Sequence, residues 1–253
     1  MKRLDAKIVS NKLISKDIAE MILHVPQISA EIKAGQFVEI DTNGATLLKK
    51  PISIADLDPI QKNMTLYYKV IGKGTQALAN FPAGSSADII GALGNGFPLP
   101  QEACYIVGGG IGIPPMYLLA KNSKMPIDVF LGARSKDDLI LIENFRNINN
   151  VKNVTCTTDD GSFGQKGFVI SALMKAMQTE KRTVYACGPF PLLKAIAKYC
   201  AEENVDCFVC MEAYMGCGVG ACMGCVIPTK NGMQRVCKEG PVFSANDIFW
   251  DEF

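Results

Sequence analysis

The sequence has a single histidine, an almost even balance of charges and no long apolar run. Its 26 Lys and Arg residues against 25 Asp and Glu residues leave a formal net charge of +1. That balance gives no electrostatic basis for binding nucleic acid or an anionic membrane surface. Every apolar run is shorter than the roughly 20 residues that span a bilayer, and residues 1–5 lead into a polar stretch rather than a secretory signal. We therefore expect a soluble, cytoplasmic protein that binds neither nucleic acid nor membrane.

The scarcity of histidine limits the chemistry further. His24 alone excludes a multi-histidine metal site, including a Rieske centre, and it argues against catalysis by a histidine acid or base. His24 lies in an apolar run and is expected to be an ordinary strand residue. No catalytic residue is predicted.

The chain is long enough for two domains and a small third one. It has 253 residues, of which 48% are hydrophobic and 20% charged, so a substantial core is expected and general disorder is not.

Ten cysteines are the most informative feature, because the protein is expected in a reducing compartment where disulfides are rare. Cys217, Cys222, Cys225 and Cys237 have the C-x4-C-x2-C…C spacing that is typical of plant-type [2Fe–2S] clusters. Structural zinc sites favour paired C-x2-C motifs instead, so a zinc-stapled binding module is the alternative.

The sequence around these cysteines suits a cluster. Glycines let the backbone adopt positive φ and direct N–H groups toward the sulfurs; they are Gly216, Gly218, Gly220 and Gly224. A turn at residues 230–232 predicts a hairpin that returns the chain to Cys237.

Most other cysteines lie in apolar runs and are expected to pack in the core. Cys207 and Cys210 form a C-x-x-C within a run that predicts a buried strand, and a thioredoxin-like redox pair there is the alternative.

The middle of the chain alternates between predicted strands and helices, which indicates a parallel, doubly wound sheet. An apolar strand at 103–107 runs into a glycine turn at 108–112, and Pro114 and Pro115 then open a helix. A strand, a glycine turn and a helix in this order can seat a pyrophosphate, although the third glycine of the dinucleotide fingerprint is missing.

A second ligand-binding position is Cys187-Gly188-Pro189, between a strand and the next helix. The residues do not distinguish NAD from NADP: Arg134 could bind a 2′-phosphate, and Asp137 and Asp138 could bind a ribose hydroxyl.

Residues 1–98 show short runs of alternating polarity, which predict an antiparallel β-barrel. Helical periodicity is nearly absent there, apart from residues 75–80. In one run Tyr67 and Lys69 share a face, and Gly72–Thr75 opens the short helix as a possible anion-binding element.

In this order, the barrel, the glycine turn, Cys-Gly-Pro and the C-terminal cysteines resemble the ferredoxin reductase family. The resemblance covers essentially the whole chain and is greatest to the electron-transfer subunits of class 1B dihydroorotate dehydrogenases. Its most specific parts are the four spaced cysteines, the segment 236–243 and the segment 50–54.

The resemblance implies FAD, a [2Fe–2S] cluster and NAD as cofactors. Lys50 stands where the family usually has Arg, which keeps the positive charge but loses the bidentate fork. By resemblance the FAD site comprises Lys50, Pro51, Ile52, Ser53, Tyr67, Tyr68, Lys69, Gly74 and Thr75. By resemblance the nicotinamide site comprises Gly110, Gly112, Cys187, Gly188 and Pro189.

We therefore predict three domains: an FAD-binding β-barrel at 1–98, an NAD-binding α/β domain at 99–208 and a [2Fe–2S] domain at 209–253. The resemblance implies that electrons from dihydroorotate pass from the FMN of a partner catalytic subunit through the cluster and FAD to NAD+. It also implies a heterotetramer with two copies of each chain. A stand-alone NAD(P)H-dependent ferredoxin or oxygenase reductase is the alternative.

Overall fold

The computed structural model describes residues 2–253, and its first part is a closed barrel of six antiparallel strands in the order β1-β2-β5-β4-β3-β6. Its α-helix is α1, Lys73–Ala79, and a 3-10 turn lies at Ser29–Glu31. The strands are β1 (Lys2–Leu13), β2 (Ile18–His24), β3 (Phe37–Ile40), β4 (Lys50–Asp58), β5 (Asn63–Lys69) and β6 (Ser86–Leu93). The predicted barrel is confirmed.

Period-2 alternation explains the barrel, because successive side chains of a strand point to opposite faces. In β5, Met64, Leu66 and Tyr68 are buried inside, whereas Tyr67 and Lys69 share a face, as predicted, and this is the outer face of the barrel. His24 ends β2, and its Nδ1 is 3.2 Å from Asn63 Oδ1, which satisfies the ring.

The second part is an α/β domain in which a largely parallel sheet is covered by helices. Its strands are β7 (Cys104–Gly109), β8 (Ile127–Ala133), β9 (Val151–Thr158), β10 (Gln165–Lys166), β11 (Val184–Cys187) and β12 (Cys207–Cys210). Its helices are α2 (Ile113–Asn122), α3 (Ile142–Arg146), α4 (Val169–Thr179) and α5 (Phe190–Glu202). The predicted doubly wound architecture is confirmed.

Two local sequences set the helix boundaries here. Pro114 and Pro115 occupy the first turn of α2, where a missing N–H costs no hydrogen bond. Leu141 takes a left-handed conformation, with φ of +66°, and α3 begins at the next residue, Ile142.

The C-terminal residues form the hairpin β13 (Val226–Thr229) and β14 (Gly232–Arg235), as the turn at 230–232 predicted. They then add β15 (Val242–Ser244), which pairs antiparallel with β12 at the edge of the α/β sheet. The full sheet order is β10-β9-β8-β7-β11-β12-β15. The proposed boundary between residues 208 and 209 therefore falls within β12.

Ion pairs join the barrel to the α/β domain. Lys69 Nζ lies 2.7 Å from Asp138 Oδ1, and Lys121 Nζ of α2 lies 2.7 Å from Asp56 Oδ1 of β4. These two ion pairs connect β4 and β5 to the α/β domain. The outer face that the two strands form therefore lies next to that domain. Within the described residues, none of the helices has the length and apolar character needed to cross a membrane.

Candidate functional site

The four spaced cysteines are brought together by one loop and the returning hairpin strand. Cys217 is half-buried and Cys222 is exposed, whereas Cys225 and Cys237 are buried. The sulfurs therefore extend from the interior to the surface, so that a group held by them would have one edge near solvent.

Backbone N–H groups point at these sulfurs, as the glycine-rich sequence predicted. The N–H groups of Ala221 and Cys222 donate to Cys217 Sγ at 3.3 and 3.4 Å. Gly224 N–H donates to Cys222 Sγ and Cys237 N–H to Cys225 Sγ, each at 3.4 Å. Such bonds stabilise thiolates, which are the form that binds metal.

Positive φ angles shape the loop, although not at all the glycines we expected. Gly218 and Gly220 have φ of +65° and +82°, and Met223 has φ of +57°. Gly216 and Gly224 do not have positive φ. Met223, a residue type that rarely has positive φ, thus adopts the conformation that was predicted for glycine.

The thiols form two neighbouring pairs, Cys217 with Cys222 and Cys225 with Cys237. Within residues 2–253, no three His, Cys, Asp or Glu side chains are grouped to hold a single metal ion. Two pairs of thiolates fit a two-iron cluster, in which each iron takes two protein ligands, better than a mononuclear zinc site.

The environments of the two pairs differ. Burial opposes ionisation of Cys217, but N–H donation from Val219, Cys222 and Ala221 lowers its pKa to about 6. Burial raises the pKa of Cys237 to about 12, and its neighbour Cys225 adds to this effect. Of these two thiols, Cys217 is therefore the readier to bind metal as a thiolate.

The C-x-x-C at Cys207 and Cys210 is not a redox pair. Both residues are buried in β12, where positions three apart lie on opposite faces. The Cys207 thiol lies next to Cys200, and Cys210, which is paired with Cys187 of β11, donates from its Sγ to the Gly35 carbonyl oxygen at 3.9 Å. The core-packing interpretation is supported, and the thioredoxin-like alternative is wrong.

A pocket of about 200 Å³ lies between the barrel and the segment that leads to the cysteine loop. Phe37 of β3 and Pro51 and Ser53 of β4 form its barrel side, because alternate residues of these paired strands face outward. Its opposite side is formed by Cys210, Met211, Glu212, Ala213, Met215 and Pro241. A pocket with apolar walls and a few polar groups suits a flat aromatic ring such as a flavin.

Lys50 and the opening of α1 are adjacent, as an anion-binding site requires. A Cβ placed on Gly74 would lie 2.3 Å from Lys50 Cε, so the lysine side chain crosses this glycine closely. Thr75 Oγ1 is engaged locally: it accepts from the N–H groups of Ile71 and Gly72 at 3.1 and 3.3 Å. Lys50 therefore supplies a positive charge beside the opening of α1.

Two residues assigned to FAD by resemblance point into the barrel. Ile52 and Tyr68 are both buried in the barrel core. Tyr68 Oη donates to Asn11 Oδ1 at 3.0 Å, and burial raises its pKa to about 12. Tyr67, on the outer face, donates to Glu20 Oε2 at 2.7 Å, and burial is the main cause of its raised pKa. Neither Ile52 nor Tyr68 presents its side chain to the pocket.

Lys69 contacts acidic side chains. Its Nζ is 2.7 Å from Asp138 and 3.3 Å from Asp17, and these carboxylates, the Asp138 hydrogen bond foremost, raise its pKa. Asp138 is thereby occupied by Lys69 rather than free for a ribose hydroxyl, while Arg134 and Asp137 remain exposed.

The residues assigned to the nicotinamide site converge at the point where the sheet order reverses. β7 lies next to β11, with Gly108 opposite Cys187, while β8 and β12 extend the sheet in opposite directions. A Cβ on Gly112 would lie 2.6 Å from the backbone of Cys187 and Gly188, so only glycine permits this approach. Open α/β sheets bind ligands at such a switch point.

Two more groups complete this end of the sheet. Gly110 has φ of +53° with open space beside it, and Pro189 precedes the first turn of α5. The first turns of α2 and α5 therefore flank one crevice, where their N–H groups can receive an anionic cofactor.

Sequence reasoning missed Glu39, which links the pocket to the cysteine loop. Glu39 shares the outer face of β3 with Phe37, is 2% exposed, and its Oε1 has no hydrogen-bond partner within the described residues. A Cβ on Gly218 would lie 2.6 Å from Glu39 Cγ. Burial is the main cause that raises the Glu39 pKa to about 7. The four-residue strand β3 carries too little pattern to show which face the cysteine loop covers.

Two family models match the chain. Residues 212–249 match the iron-sulfur cluster binding domain of dihydroorotate dehydrogenase B, and residues 106–198 match the oxidoreductase NAD-binding domain. The matched segments contain the cysteine loop and the sheet switch point respectively.

Curated relatives match over nearly their full length. The dihydroorotate dehydrogenase B (NAD(+)) electron transfer subunit of Caldanaerobacter subterraneus is 36% identical, over 98% of this chain and 99% of that one. The corresponding subunit of Streptococcus mutans is 36% identical, over 96% of this chain and 97% of that one.

Solved structures agree. A chain of the NADH-dependent reduced ferredoxin-NADP oxidoreductase, reported for flavin-based electron bifurcation, has a TM-score of 0.86 and 31% identity, over 98% of this chain and 91% of that one. The ferredoxin reductase of carbazole 1,9a-dioxygenase has a TM-score of 0.70 and 18% identity, over 81% and 66% of the respective chains, and shows the shared fold.

Proposed function

Because the chain belongs to the family of electron transfer subunits of NAD(+)-linked dihydroorotate dehydrogenase B, we propose how its residues divide the work of moving electrons from a catalytic partner to NAD+. One observation carries the proposal. Phe37 and Glu39 lie on one face of β3; Phe37 lines the pocket, and Glu39 contacts the cysteine loop at Gly218. The pocket and the loop are thus neighbours on a single strand.

The three cofactors are a [2Fe–2S] cluster, FAD and NAD. When bound, they supply one-electron transfer at the cluster, exchange between single electrons and electron pairs at the flavin, and hydride acceptance at the nicotinamide. Cys217, Cys222, Cys225 and Cys237 hold the cluster in our proposal. The N–H groups directed at Cys217 support this, since they stabilise the thiolate ligand without adding charge.

For FAD, we assign the ring to the pocket beside Pro51 and Ser53, and the pyrophosphate to Lys50 near Gly74. The outer-face positions of Pro51 and Ser53 support the first assignment, and the close crossing of Lys50 over Gly74 supports the second. Ile52 contributes through its backbone, since its side chain fills the barrel core.

For NAD+, we assign the crevice between Gly110, Gly112 and the Cys187–Pro189 turn. These residues orient the nucleotide with backbone N–H groups at two helix starts, where an anion is stabilised. We assign no proton-transfer residue to this chain, because oxidation of dihydroorotate belongs to the partner in this scheme.

The catalytic partner follows from the family, whereas its details are proposals. We assign FMN to the partner, two copies of each chain to the complex, and the face around exposed Cys222 to the contact. A cytoplasmic location is proposed as well, supported by ten cysteines that are all free.

The test uses the purified chain with its cofactors. Cys222→Ser should abolish the visible [2Fe–2S] spectrum and leave released FAD unchanged, while the buried control Cys156→Ser should retain both. The chain alone should reduce dyes with NADH without oxidising dihydroorotate, and the partner should restore that activity. Dihydroorotate turnover by the chain alone, or iron lost from the control instead, would refute the assignment.

A further inference from the structure

Arg235 joins the two chain segments that carry the cysteine ligands. It is the last residue of β14, two residues before Cys237, and it pairs across the hairpin with Val226, which follows Cys225. Its backbone is thus close to both segments that carry the inner cysteines.

The guanidinium makes contacts in two directions. Its Nη1 donates to the carbonyl oxygen of Gly220 at 2.6 Å, and Gly220 lies in the loop between Cys217 and Cys222. Its Nε donates to Glu239 Oε2 at 2.9 Å, and Nη2 donates to the other carboxylate oxygen. The Arg235 N–H also donates to Glu239 Oε2 at 2.8 Å.

An exposed ion pair by itself contributes little, because water and salt screen it. The contact with the Gly220 carbonyl distinguishes Arg235 from a simple ion pair. One planar fork binds the Glu239 carboxylate and the Gly220 carbonyl together, which a lysine cannot reproduce with the same geometry. The loop with the first three cysteines is thereby fastened to the segment with the fourth.

The positive charge of Arg235 also bears on the reduction potential of a cluster held by the four cysteines. Arg235 lies two residues before Cys237 and opposite the residue that follows Cys225, and its guanidinium is hydrogen-bonded to the loop between Cys217 and Cys222, so its positive charge lies close to the cysteine ligands. Reduction adds a negative charge to a cluster, so a nearby positive charge favours the reduced form, and net charge is one of the factors that set cluster potentials.

We propose that Arg235 is a positioning residue for the [2Fe–2S] cluster, which holds the Gly220 carbonyl against the Cys237 segment and raises the reduction potential of the cluster. The proposal rests on the assignment of the four cysteines as ligands.

The experiment compares the full chain, reconstituted with iron, sulfide and FAD, as wild type, Arg235→Gln and Arg235→Lys. The rate of bleaching by an iron chelator measures retention, and dye-mediated titration with EPR detection measures the reduction potential. Arg235→Gln should lose iron about 10- to 100-fold faster, the range by which loss of an outer-shell contact weakens a metal site, and should have a lower potential. Arg235→Lys should lose iron faster but keep a potential close to that of the wild type.

Arg146→Gln is the matched control, because Arg146 forms a similar surface pair with Glu143 at 2.6 Å but lies on α3. It should match the wild type in both measurements. Unchanged retention or potential in Arg235→Gln would overturn the proposal, as would an equal fall in potential in Arg235→Lys. A wild-type chain without the [2Fe–2S] spectrum would refute the ligand assignment instead.

Discussion

The contact between Gly218 and Glu39 predicts that an alanine at position 218 will loosen the cysteine loop. A Cβ there would lie 2.6 Å from Glu39 Cγ and 2.8 Å from Oε1, whereas nonbonded carbons pack at about 3.5–4.0 Å. The residue also has φ of +65°, a conformation that costs a residue with a Cβ about 1–2 kcal/mol. Overpacking adds about 1–3 kcal/mol.

Gly232 supplies the control that separates the two costs. It has φ of +84° but nothing within 4 Å of its Cβ position. Gly232→Ala should therefore cost only the conformational part, about 1–2 kcal/mol. The two variants thus differ in cost by the overpacking part, about 1–3 kcal/mol, which corresponds to a ratio of about 5- to 150-fold between the populations of their opened loops. If opening of the loop relieves the strain, Gly218→Ala should release iron to a chelator faster than Gly232→Ala by about that ratio.

A double variant tests the cause directly. Glu39→Ala removes the Cγ, Cδ and Oε1 atoms that a Cβ on residue 218 would meet. In the double variant with Gly218→Ala, the overpacking cost should disappear. The effects of the two changes on stability should therefore be non-additive by about 1–3 kcal/mol. Equal iron release from Gly218→Ala and Gly232→Ala, or strict additivity in the double variant, would refute the reasoning.

Three further changes test other parts of the molecule. Lys50→Met should weaken FAD retention, because it removes the charged group beside Gly74, and flavin fluorescence after gel filtration measures this. Gly112→Ala should raise the KM for NADH in dye reduction, since its Cβ would meet fixed backbone of Cys187 at 2.6 Å. The Arg3 hydrogen bond is the main cause that lowers the Asp88 pKa to about 2, so the paired carboxylate stabilises the fold above pH 4. Asp88→Asn should remove about 1 kcal/mol, allowing for solvent screening; the difference should vanish as pH falls through about 2, which urea unfolding measures.

Residue spacing predicted the features that depend on local pattern. The spacing of the four cysteines, the hairpin that returns to Cys237 and the shared face of Tyr67 and Lys69 all follow from short segments of sequence. The Gly-x-Gly turn and Cys-Gly-Pro are separate motifs that the resemblance assigns to one nicotinamide site, and the sheet order places them side by side. Such features need only the periods of strands and turns.

Contacts between distant segments could not be predicted in this way. Strand β4 was not recognised as a strand, because its proline and charged ends hide the alternation of Ile52 and Ile54. The pairing of Lys69 with Asp138 joins two domains, and Glu39 looks like an ordinary strand carboxylate until the cysteine loop covers it. These interactions depend on which faces meet, and sequence periodicity leaves that choice open.

The pairing of β15 with β12 has a consequence for the folding of the chain. An open strand edge carries unpaired N–H and C=O groups that can template association with another molecule. Residues 242–244 cover this edge of the α/β sheet, using a strand that follows the last cysteine ligand. A chain that ended before residue 242 would leave β12 open, so it should associate and precipitate during folding. The last residues of the cluster segment thus protect the nucleotide-binding sheet against self-association.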